Sequence, residues 1–297
     1  MKNEMFVTVQ HLKKSVLKWR IFAVAAVFLL IMASSNRAIL KRQKPADVIA
    51  RVKIDGFIEN GAFSDERLKY LESDAVRGII LDINSPGGDV TESEKTYIFF
   101  RKLAMKKPLV TSIRGACTSG AYMIAMASDY IIAYNTSLVG SIGVVLESFE
   151  ITELAKKLGI NLTNYKSSPL KAAPNPLEKT TPDVDMVVSQ KIDDIYDYFL
   201  GIFIDRRKIK VAEAQEIANG QTYTGRQALE FGLIDKIGGE DEILEFLRIN
   251  NFNLNKIKIV EHDVYRTPPT KKSLIRKIFN LASSGAMRDG RGSGFIY

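Results

Sequence analysis

The chain has 297 residues, 46% of them hydrophobic and 26% charged, with a formal net charge of +8. This balance is enough for a buried core and excludes wholesale disorder. The single cysteine, Cys117, excludes an internal disulfide and a structural zinc cluster. The excess positive charge gathers at the ends, at Lys13, Lys14, Lys18 and Arg20 and again at Lys271, Lys272, Arg276, Lys277, Arg288 and Arg291. Such terminal clusters point to a membrane surface rather than to a nucleic-acid groove, which needs a basic face on the folded domain.

Residues 1–20 read as a short cytoplasmic tail. The apolar run Ile21 to Ala33, extended by Ser34 and Ser35, follows these basic residues and reads as a signal anchor over 21–35. Residues 36–47 are polar and basic and read as a linker. Strands are expected at Val48 to Ile54, Gly78 to Ile83, Pro108 to Ile113 and Tyr130 to Ala133. Helices are expected between them at Asp65 to Leu71, Ser93 to Ala104 and Ser119 to Ala127. This alternation implies a mainly parallel α/β sheet. A long amphipathic helix lies within 182–207, with Val187, Ile192, Ile195, Tyr198, Phe199 and Ile202 at helical spacing. The catalytic domain is bounded at 48–262. Beyond it, 263–297 reads as a basic tail with an amphipathic stretch at 270–283.

Three segments carry chemistry. Asn84-Ser85-Pro86-Gly87-Gly88 follows the strand GIILDI, and paired glycines there permit close backbone approach and exposed N–H groups. Gly115 to Ala121 follows the strand PLVTSI and sets Ser119 at a helix start beside the N–H of Gly120. Taken alone, a Ser-Gly of this kind reads as a plain helix cap. The third segment, Tyr165 to Lys171, supplies two lysines, Lys166 and Lys171. A solvated lysine is protonated at neutral pH, but burial disfavours the ammonium and turns the amine into a base able to take a serine proton. Neither His11 nor His262 is placed to serve such a serine.

Together these segments resemble the signal peptide peptidase A family, the SppA-like Ser-Lys serine peptidases of family S49. The resemblance runs from about residue 48 to 247. It rests on NSPGG at 84–88, TSGAY at 118–122, GSIGV at 140–144, YKS at 165–167 with Lys171 and Pro176 at five-residue steps, and NGQTYTGRQALEFGLIDKIGG at 219–239. It implies a Clp protease/crotonase-like fold of β-β-α units. It also implies Ser119 as nucleophile, Lys171 rather than Lys166 as general base, and an oxyanion hole from Gly88 and Gly120, with no metal or other cofactor. Cys117 is set aside as nucleophile because two residues along a strand-to-helix turn point it elsewhere. Two departures stand out: Ala121 and Ser168 occupy positions where the family carries glycine. The activity implied is endoproteolysis of residual signal peptides or other membrane-associated polypeptides. The resemblance further implies a homo-oligomer anchored in the bacterial inner membrane with its catalytic domain outside the cytoplasm. A catalytically silent scaffold that binds membrane proteins, and an acyl-CoA enzyme of crotonase type, are the competing readings of the same fold.

Overall fold

The computed structural model describes residues 47–265. The signal anchor, most of the linker, His11 and the amphipathic stretch at 270–283 lie outside the described residues. Among those described, no helix is long and apolar enough to cross a membrane.

Among the described residues, eight strands form one sheet: β1 (Val48–Asp55), β2 (Val76–Ser85), β3 (Leu109–Thr118), β4 (Tyr130–Ala133), β5 (Leu138–Gly140), β6 (Thr222–Thr224), β7 (Lys236–Ile237) and β8 (Lys258–His262). The path runs β6-β5-β3-β2-β1-β8, with β4 pairing β3 and β7. Every pairing is parallel except β5 with β6. Eight helices among the described residues connect the strands: α1 (Asp65–Tyr70), α2 (Val90–Ala104), α3 (Gly120–Ala125), α4 (Thr152–Lys157), α5 (Pro182–Arg207), α6 (Val211–Ile217), α7 (Gly225–Glu230) and α8 (Glu240–Ile249).

The apolar run of GIILDI, interrupted only by Asp82, has a simple cause. Side chains alternate across a sheet, and here both faces are covered. Ile79, Leu81 and Ile83 join the larger core with Phe100 of α2, Tyr122 of α3 and Phe203 of α5. Ile80 points the other way and packs with Ile49, Val110 and Ile132 under Ile243 and Leu247 of α8.

Three elements differ from the sequence expectation. Helix α2 begins at Val90 rather than Ser93, because the Asp89 carboxylate accepts the Glu92 N–H and caps the helix there. Strand β3 runs through to Thr118 instead of ending at Ile113. It does so across an irregularity: Ile83 pairs with Ile113, but Ser85 pairs with Cys117. The extra residues hide the period-2 pattern on which strand recognition depends. Third, only part of the α5 stripe meets the core. Phe199 and Ile202 are buried, Val187, Ile192 and Ile195 are half-buried, and Tyr198 is exposed.

The carboxyl-terminal end of α5 is fastened to the sheet. Phe203 meets the Tyr122 ring edge-on at 6.3 Å between centroids. Arg206 donates to the carbonyls of Met126 and Ser128, closing the end of α3. Arg207 pairs with Asp235 and donates to the Gly232 carbonyl. Phe203→Ala should therefore lower stability by about 3–5 kcal/mol, the range for emptying a buried aromatic site, read from urea unfolding. A loss below about 1 kcal/mol would show that α5 is not held through this contact.

Candidate active site at the carboxyl ends of the central strands

Gly88, Ser119 and Gly120 gather where β2 and β3 end, at the edge of a parallel sheet where ligands ordinarily bind. Each residue of the NSPGG segment has a separate structural task. Asn84 Oδ1 accepts the Ala116 N–H at 3.1 Å and so pins the irregular turn of β3. Ser85 Oγ accepts the Gly87 N–H at 3.1 Å. The Pro86 carbonyl accepts the Thr118 hydroxyl at 3.0 Å, which ties the two loops directly together.

The two glycines then make the approach possible. Gly87 has φ 96°, and a Cβ there would lie 2.8 Å from Ser119 Cβ and 2.9 Å from Gly120 N. Gly88 has φ 157°, and a Cβ there would strike the Ile58 carbonyl oxygen at 2.1 Å. Ile58 holds this loop from the outer side: its N–H donates to the Gly87 carbonyl at 2.8 Å and its carbonyl accepts the Asp89 N–H at 2.7 Å. The pairing skips the Gly88 N–H, which among the described residues has no acceptor.

Ser119 sits between β3 and α3 with φ 53° and ψ −129°. For a residue bearing a Cβ this backbone costs about 1–3 kcal/mol and persists only where the surroundings enforce it. Its N–H donates to the Gly140 carbonyl of β5 at 2.8 Å, and its carbonyl accepts the N–H groups of Tyr122 and Met123. The side chain makes no capping hydrogen bond. The plain helix-cap reading of Ser119 therefore fails, and its hydroxyl is left for another use. The Gly120 N–H likewise has no acceptor among the described residues. From a Cβ built at Gly120, the Gly88 nitrogen lies 3.7 Å away and Ser93 Oγ only 2.2 Å away. Ser93 is fully buried and its hydroxyl donates to the Asp89 carbonyl, so it fills the space a side chain at 120 would need. Sequence reasoning missed Ser93 and Ile58, since neither carries a motif, and only the close backbone contacts reveal them.

Helix α3 has six residues. A dipole that short contributes little. Ala121 lies inside α3, fully buried, and is not among the positive-φ residues. The extra Cβ there brings no backbone strain. Cys117 points into the core with no exposed surface, and burial pushes its thiol well above the ordinary range. His262 lies on the edge strand β8, its Nε2 2.8 Å from the Arg67 carbonyl and its ring stacked on Tyr70.

The lysine segment is not drawn into this corner by any hydrogen bond among the described residues. Lys171 stands in a turn, its N–H donating to the Ser168 carbonyl at 3.1 Å, and it is exposed. Lys166 is half-buried and ion-paired with Glu178, whose second carboxylate oxygen accepts from Asn164 Nδ2. Around them a run of apolar side chains is open to solvent: Val145, Phe149, Leu154, Leu158, Ile160 and Tyr165, the last 96% exposed.

The comparisons with known proteins bear on the same residues. The Peptidase family S49 profile matches residues 101–252, just over half the chain, and the Clp protease profile matches 44–137. Protein MJ0651 of Methanocaldococcus jannaschii, which carries a provisional protease name, is 36% identical over 64% of this chain and 61% of its own length. A provisionally named signal peptide peptidase SppA of Enterococcus faecium is 32% identical over 67% of this chain and 62% of its own. The chloroplastic serine protease SPPA of Arabidopsis thaliana is 32% identical over 64% of this chain and 28% of its own. The chain thus spans about three fifths of the length of the first two relatives. Through the profile that covers β3, Ser119 and the lysine segment alike, the chain belongs to peptidase family S49.

Proposed function

We propose that this chain is a serine endopeptidase in which Ser119 is the nucleophile, Lys171 the general base, and the N–H groups of Gly88 and Gly120 the oxyanion hole. One observation carries the reading: a strained serine with an uncommitted hydroxyl stands beside two backbone donors that have no acceptor. Membership of the peptidase family supports it.

Ser119 Oγ attacks a peptide carbonyl while the neutral Lys171 amine takes its proton. The carbonyl oxygen, now an anion, accepts from Gly88 and Gly120. Donors fixed before the charge develops need no reorganisation, which is why such sites stabilise the transition state strongly. The Lys171 ammonium then protonates the leaving amine, and water hydrolyses the ester on Ser119. Lys166 is already engaged in an ion pair with Glu178, so Lys171 is the lysine proposed for proton transfer.

A lysine base needs cover from water, and within one chain Lys171 is exposed. A second copy of the chain supplies that cover. The apolar side chains from Val145 to Tyr165 and the exposed half of α5 are the surfaces that favour assembly. The substrates we propose are residual signal peptides and other membrane-associated polypeptides, met by an enzyme anchored through residues 21–35 with its catalytic domain outside the cytoplasm.

Ser119→Ala and Lys171→Ala should each lower kcat on a denatured or signal-like peptide by about a thousandfold or more, while Cys117→Ala keeps activity. Full turnover by Lys171→Ala would refute the base, full turnover by Ser119→Ala would refute the nucleophile, and no turnover by the wild-type protein would leave the silent-scaffold reading. Gly88→Ala should lower kcat by about 10²–10³ by displacing one oxyanion donor, with the folded signal in circular dichroism retained. A variant that keeps wild-type kcat removes Gly88 from the hole. Mixing Ser119→Ala with Lys171→Ala protein, followed by subunit exchange, should restore activity if one copy serves another. No recovery in exchanged oligomers would place both groups in one chain.

A further inference from the structure

We infer that Glu178 and Lys166 form a clasp that positions the Lys171 loop, so that Glu178 is a positioning residue of the site. This rests on the reading of Lys171 as the base. The loop leaves at Lys166 and returns at Glu178, and the ion pair between these two closes it at its neck. Lys171 lies near the middle of the closed segment.

Several features separate this pair from an ordinary surface ion pair, which contributes little. Lys166 is the one residue from 161 to 172 that is not exposed, its side chain only 16% accessible. Glu178 takes two donors rather than one, since Asn164 Nδ2 binds its other oxygen. These hydrogen bonds, first from Lys166 and then from Asn164, hold the Glu178 carboxyl below the usual glutamate range. The returning arm is itself fixed. The Asn175 side chain accepts the Leu177 N–H, and the Asn175 carbonyl accepts the Glu178 N–H. The Pro176 carbonyl accepts the Ile151 N–H at 2.8 Å, tying the arm to the start of α4. Inside the neck only two backbone bonds order the tip, Lys171 to Ser168 and Ala173 to Leu170. With so few contacts of its own, the tip takes its placement from the neck. Opening the neck frees a segment of a dozen residues and the lysine with it. A displacement of about 1 Å in a catalytic group is enough to lower a rate a hundredfold.

The test uses the full-length protein and four variants. Glu178→Gln and Lys166→Gln should each lower kcat by between about tenfold and a hundredfold with KM unchanged, and should speed tryptic cleavage after Lys171. Lys166→Arg should restore kcat close to the wild-type value, because arginine keeps the ion pair but does not give up its proton. Wild-type kcat in Glu178→Gln, or unchanged tryptic cleavage, overturns the clasp. Failure of Lys166→Arg to exceed Lys166→Gln overturns it as well and returns Lys166 to proton transfer. Lys171→Ala is run alongside: if it stays active the base assignment falls, whereas the proteolysis readout still judges the clasp.

Discussion

Two loop backbones have to lie within van der Waals contact of each other for this site to exist. One leaves β2 through Gly87 and Gly88, and the other leaves β3 through Ser119 and Gly120. A single Cβ at any of the three glycines would collide with a neighbour. The hydrogen bond from Thr118 to the Pro86 carbonyl holds the two loops at that distance, and Ile58 presses the first loop from behind. The consequence is chemical as well as steric. Because the Ile58 ladder grips Gly87 and Asp89 but passes over Gly88, an N–H is left unpaired beside the one at Gly120. Backbone donors rarely go unmatched in a folded interior. The proposed oxyanion hole rests on two such donors standing together next to a serine in a costly conformation.

The sheet supplies the rigidity this arrangement needs. β2 and β3 are central strands, buried on both faces, and their carboxyl ends carry the two loops. The irregular turn of β3 belongs to the same design. It brings Cys117 opposite Ser85, so that Thr118 and Ser119 arrive level with Pro86 and Gly87, and Asn84 secures it from the neighbouring strand. The strain at Ser119 is thus borne by hydrogen bonds from three strands rather than by the short helix that follows.

The lysine half of the proposed dyad obeys a different physics. Among the described residues its segment makes no hydrogen bond to the sheet, and apolar side chains flanking it in sequence are open to solvent. A lone chain therefore holds two preformed backbone donors beside Ser119 and an exposed Lys171. Assembly would cover the apolar side chains and dry the lysine together, coupling activity to the assembled state.

The sequence by itself determined the α/β class and the order of the early strands and helices, which are local matters of apolar period and turn residues. It put Ser119, Gly88 and Gly120 forward as candidates only through a family resemblance. It also placed both lysines, but it did not show that Lys166 is engaged with a carboxylate twelve residues away. The run of β3 past Ile113, the cap at Asp89, and the parts of Ser93 and Ile58 were decided only by tertiary structure. Those depend on which atoms meet across strands distant in sequence, and a backbone contact between two loops leaves no periodic trace in either one.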